Sequence, residues 1–78
     1  MNLEGIKNSD ISQAIDEYIH SSRDRLILKM RLIDGCTFIQ ISDILYMEHK
    51  IQLSERQVKN VVYKARKELF EHWDINKT

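Results

Sequence analysis

The chain has 78 residues, 42% of them hydrophobic and 31% charged, and a formal net charge of zero at pH 7. That is enough for one small core and too little for a second beside it. No apolar run approaches the roughly 18 residues of a membrane-spanning helix, and no basic residues precede an apolar stretch near the start, so neither membrane insertion nor secretion is expected.

A cytoplasmic protein is therefore expected, and a single cysteine, Cys36, which cannot form an internal disulfide, agrees with a reducing compartment. There is no proline, and the only glycines are Gly5 and Gly35, so the residues that usually punctuate strands and tight turns are scarce. An all-α fold follows: a four-helix domain over residues 9–74, with a flexible N-terminus at 1–8 and a frayed end at 75–78.

The first helix is expected to start after Ser9 or Asp10, because Ile11, Ala14, Ile15, Tyr18 and Ile19 recur at spacings of three and four. A second should begin near Ser21 or Ser22 and carry Leu26, Ile27, Met30 and Ile33 on one stripe. It stops at Asp34 and Gly35, where glycine accepts the left-handed conformation of a helix end.

Immediately afterwards, CTFIQI has the parts of a helix start in order. Thr37 can cap, Gln40 can close a capping box, and Cys36 can staple onto Ile41. The third helix then presents Phe38, Ile41, Ile44 and Leu45 to one side. The same grammar recurs in LSERQV, where Ser54 caps, Gln57 closes the box and Leu53 can staple onto Val58. A fourth helix over 55–70 follows.

Neutral total charge conceals an uneven distribution. Residues 1–20 carry Glu4, Asp10, Asp16 and Glu17 against Lys7, whereas residues 50–70 set Lys50, Arg56, Lys59, Lys64, Arg66 and Lys67 against only Glu55 and Glu68. On the fourth helix Val58, Val61, Val62, Ala65 and Leu69 form an apolar stripe. Arg56, Asn60, Tyr63 and Lys67 lie opposite, flanked by Lys59, Arg66, Gln57 and Lys64. Such a helix suits a DNA major groove, where cations meet phosphates and planar side chains read base edges. The plain alternative is a solvated basic face, and a neutral total charge weighs toward it.

The order of elements resembles a helix-turn-helix at about 37–70 preceded by a supporting helix. In RDRLILKMRLIDGCTFIQISDIL followed by SERQVKNVVYKARKEL, the residues Asp34, Gly35, Thr37, Phe38, Ile41, Ile44, Leu45, Ser54, Val58, Lys59, Ala65 and Arg66 stand in register with a family pattern. The stretch Ser22–Leu69 resembles the DNA-binding fourth region of bacterial sigma factors and the small phage transcriptional regulators of the ArpU type. The resemblance implies a sequence-specific transcriptional regulator of phage or prophage origin, with double-stranded DNA as partner and RNA polymerase as a further contact.

Carried over by position, the resemblance puts Arg56 and Asn60, with Gln57 beside them, against bases. It puts Lys59, Tyr63, Lys64 and Lys67 against phosphates. For Arg56 the alternative is a solvated first-turn residue, and for Tyr63 partial packing on the second helix.

One departure is an insertion. The family joins the two helices by about two residues, whereas residues 46–53, YMEHKIQL, intervene here. Tyr46, Met47 and Glu48 could prolong the third helix with His49 to Gln52 as loop, or the segment could form an extended excursion. Its apolar residues Met47, Ile51 and Leu53 are expected to pack. Nothing in the chain corresponds to the promoter-melting and clamp regions of a complete sigma factor.

Catalytic and metal chemistry find no support. His20, His49 and His72 are far apart and none stands at ligand spacing to Cys36, so no metal or other cofactor is expected. Cys36 reads as a small packed group, there is no glycine-rich phosphate loop, and the chain is not expected to be an enzyme.

Leu69, Phe70 and Trp73 at one end, with Ile11, Ile15, Tyr18 and Ile19 at the other, either close the core or join two copies. The latter reading is a homodimer with two recognition helices on DNA. A different class of function also fits the pattern: a helix-turn-helix scaffold that inhibits or modulates a host protein through the insertion and the acidic first helix.

Overall fold

The computed structural model describes residues 5–73. They form four helices and no strand: α1 (Asn8–Tyr18), α2 (Ser22–Leu32), α3 (Phe38–His49) and α4 (Glu55–His72). The all-α, four-helix expectation holds. No helix among the described residues is long and apolar enough to cross a membrane.

α1 starts earlier than expected, at Asn8, and neither Ser9 nor Asp10 caps it. Lys7 is the N-cap and contributes no side-chain bond; its carbonyl accepts from the amides of Asp10 and Ile11. The start is held from the apolar side. Ile6 and Ile11 occupy the two positions of a hydrophobic staple, Ile11 is buried and Ile6 packs on the core. A flexible segment over 1–8 is therefore too long, since Ile6 and Asn8 belong to the folded domain. Residues 1–4 and 74–78, which contain the rest of that segment and the frayed end, lie outside the described residues.

α2 begins where Ser21 accepts from the amide of Asp24, as expected. Within only 11 residues it packs against each of the other three helices, as the longer α4 also does. For that reason its burial exceeds one stripe: Ile27, Leu28 and Met30 are all buried, with Leu26, Leu32 and Ile33 partly so. Leu28, absent from the expected stripe, is fully covered. Two polar ties join α1 to α2. The Lys29 ammonium lies 2.7 Å from an Asp16 carboxylate oxygen, and the Arg25 guanidinium donates to the Ile19 carbonyl.

Both later connections are built alike. Gly35, at φ +70°, adopts the left-handed conformation, and the following amide, of Cys36, donates to the Met30 carbonyl at 3.0 Å. Lys50 does the same without being glycine: at φ 58° it ends α3, and the next amide, of Ile51, donates to the Leu45 carbonyl at 3.0 Å. Each connection then delivers a complete capping box, Thr37 with Gln40 and Ser54 with Gln57.

The inserted segment thus resolves into two parts. Residues 46–49 add a turn to α3, and the loop from Lys50 to Ser54 closes on the core through Ile51 and Leu53. Met47 is the exception to the expected packing: it projects from α3 with 72% of its surface exposed.

The core is a single cluster that takes Ile11, Ala14, Ile15 and Ile19 from the N-terminal side, Ile41 and Leu45 from α3, and Val58, Val62, Ala65 and Leu69 from α4. Phe70, Trp73 and Tyr18 pack on its edge. α4 runs to His72, two residues beyond the expected limit, and Trp73 caps it, its amide donating to the Leu69 carbonyl. The apolar residues at the two ends therefore close the core, and the dimer surface expected from them is not exposed.

Candidate nucleic-acid interface

α4 divides along its length. Val58, Val62, Ala65 and Leu69 are buried and Val61 is half-buried, so the whole apolar stripe faces inward. Burying such side chains contributes about 1.5–3 kcal/mol each before entropy is counted, enough to fix which side of the helix looks out. Arg56, Gln57, Lys59, Asn60, Tyr63, Lys64, Arg66 and Lys67 are all exposed. No part of the loop from Lys50 to Ser54 covers them, since its apolar residues turn to the core.

None of the basic residues of α4 takes part in an ion pair among the described residues; the two ion pairs present lie within α2 and between α1 and α2. The face is therefore left with its positive charge uncompensated by contact. Arg66 lies over the Phe70 ring, 5.3 Å from its centroid, one turn further along the same helix.

Gln57 differs from its neighbours. Its side-chain oxygen accepts the Ser54 amide at 2.9 Å while its own amide donates to the Ser54 hydroxyl at 3.2 Å. Only the Nε2 end remains for another acceptor, so Gln57 cannot grip a base edge with both ends while it closes the box. Asn60 makes no such bond and keeps both ends free among the described residues.

Tyr63 packs at the start of α3. Its ring meets Phe38, the first residue of α3, edge-on with centroids 6.2 Å apart, and stays 54% exposed. The Lys59 ammonium sits 5.6 Å from the Tyr63 centroid. On the far side, the Arg31 guanidinium lies 4.5 Å from the Phe38 centroid while donating to the Cys36 carbonyl at 2.9 Å. Arg31, Phe38, Tyr63 and Lys59 thus form a row from the end of α2 onto α4 in which two cations flank a pair of rings.

Sequence reading did not find the Arg31 and Phe38 part of this row. Phe38 reads as a packing residue of the third helix, and no spacing in the chain pairs residues across the α2–α3 connection.

The histidines do not gather: His20 and His49 are exposed, and His72 stacks on Tyr18 with centroids 6.2 Å apart. Among the described residues no three His, Cys, Asp or Glu side chains come close enough to hold a metal ion.

A second surface lies beside the first. An open groove of about 690 Å³ runs between the outer side of α3 and the start of α4, lined in part by Ser42, Asp43, Met47, Gln52 and Leu53. Ile39, Tyr46 and Met47 stand exposed along α3, by 55%, 60% and 72%. With Tyr63 they are the large apolar side chains most open to solvent among the described residues.

Fold and surface together define a small all-α domain with one unobstructed basic helix face. The chain matches no protein-family model, and comparisons with curated proteins and with solved structures also find no significant match.

Proposed function

We propose that the chain is a sequence-specific DNA-binding transcriptional regulator that reads the major groove with α4. One observation carries this reading. Arg56, Lys59, Asn60, Tyr63, Lys64 and Lys67 share an exposed side that makes no ion pair among the described residues, while the opposite side of the same helix is buried.

In this reading α3 and α4 correspond to the two helices of a helix-turn-helix, with the loop from Lys50 to Ser54 as a lengthened turn. Lys59, Lys64 and Lys67 meet phosphates, and Tyr63 donates its hydroxyl to one more. In the same reading Arg56 binds guanine and Asn60 adenine, each through two hydrogen bonds, and each pair contributes roughly 1–3 kcal/mol of discrimination. The resemblance to sigma-factor DNA-binding modules supports the same assignment and extends the proposal to RNA polymerase as a second partner.

The test is selection of bound duplexes from a random pool at low salt, followed by affinity measurements across salt concentrations. The expected result is an enriched motif whose binding weakens linearly in log–log form as salt rises. If no duplex is retained at low salt, the reading fails, and a scaffold that binds a host protein takes its place.

A further inference from the structure

We propose that the outer side of α3 is a homodimer interface in which two copies pair their α3 helices antiparallel. The inference goes beyond the DNA-binding reading and does not depend on it.

α3 is apolar on two sides. Ile41 and Leu45 are buried in the core, and Phe38 and Ile44 pack on its edge, which accounts for one side. Ile39, Tyr46 and Met47 make up the other and are exposed among the described residues. They recur at helical spacing together with Asp43, and Lys50, the residue that ends the helix, continues the row. A helix with apolar residues on both sides is normally covered on both.

The row is self-complementary, and this selects a second copy as the occupant. Asp43 and Lys50 carry opposite charges two helical turns apart, and Tyr46 and Met47 sit midway between them. Antiparallel pairing about a two-fold axis through that midpoint sets Tyr46 of each copy against the partner's Met47. It also sets Asp43 of each copy against the partner's Lys50. Neither Asp43 nor Lys50 takes part in an ion pair among the described residues.

The same register carries Ile39 past the end of the partner's α3, to the loop beyond Lys50, where the groove lined by Gln52 and Leu53 lies open. Thus the exposed isoleucine and the open groove are filled by one operation. Every contact occurs twice, as a two-fold interface requires. A contact made by one short helix and a loop is at the small end of interface sizes, so the dimer is weak and reversible.

Sedimentation equilibrium of the whole chain, from low micromolar to millimolar concentration without DNA, tests the proposal. The expected result is a monomer–dimer equilibrium that Met47→Glu weakens at least about tenfold, since it sets a charge against the partner's apolar centre. Met47 is exposed, so circular dichroism should remain unchanged in that variant.

Register is tested by charge exchange. Asp43→Lys and Lys50→Asp should each weaken the dimer, and the double variant should restore it. A monomer at every concentration leaves the face to another occupant and overturns the proposal. So does a dimer indifferent to Met47→Glu, or one that the double exchange fails to restore.

Discussion

The hydroxyl of Ser42 donates to the carbonyl oxygen of Leu53 at 2.5 Å, tying the middle of α3 to the residue just before the Ser54 cap of α4. The connection between the helices is therefore held by its own polar groups as well as by Ile51 and Leu53 against the core. Ser42 to Ala should destabilise the domain by about 1 kcal/mol, the net worth of one such bond. Urea denaturation followed by circular dichroism measures this, and an unchanged midpoint would show that the loop is held by packing alone.

Each capping box should contribute separately. Thr37→Ala removes the acceptor of the Gln40 amide at the start of α3, and Ser54→Ala removes that of the Gln57 amide at the start of α4. A loss of about 1 kcal/mol is expected for each. Thermal melts of the two variants and of the double variant check both the size and the independence of the effects.

The left-handed residues of the two later connections, Gly35 and Lys50, should respond with opposite signs. Gly35 has open space where a side chain would project, so Gly35→Ala meets no clash and loses only what the backbone conformation costs, about 1 kcal/mol. Lys50 already bears that cost at φ 58°, so Lys50→Gly is expected to stabilise the fold by up to about 1 kcal/mol. Denaturation midpoints moving in the same direction would contradict this account.

The proposed phosphate and base contacts should separate by the salt dependence of DNA binding. Lys59→Ala and Lys64→Ala should each flatten the slope of log affinity against log salt by about 1. Asn60→Ala should instead relax preference at one position of the selected motif and leave that slope alone. All three residues are exposed, so the melting temperature should change little. Competition binding at several salt concentrations gives both readouts.

Much of the fold was legible because its signals are local. Thr37 with Gln40, Ser54 with Gln57, Ser21 before α2 and Gly35 after it all act within a few residues, and each stands where the residue pattern placed it. The division of α4 was equally readable, since burial of Val58, Val62, Ala65 and Leu69 follows from helical period alone. What escaped depends on contacts between elements. Leu28 is buried because α2 has neighbours on several sides, and Ile6 holds the start of α1 by packing where no side chain caps it. Tyr63 finds Phe38, and Phe38 finds Arg31, only once the α2–α3 connection has folded back. The exposed position of Met47 was missed for the opposite reason: an apolar residue in an insertion invites a packing assignment, yet the added turn of α3 points it outward.

Among the described residues no polar or charged side chain is buried. The interior therefore places demands on volume and shape alone, and exchanges among aliphatic residues of similar size should be tolerated there. No ionisable group is locked inside whose loss would force a second, compensating change. Apart from Gln57, which closes the Ser54 capping box, the outward residues of α4 can accordingly be rewritten one at a time with the scaffold left intact, which makes this domain a suitable frame for grafting new surface chemistry.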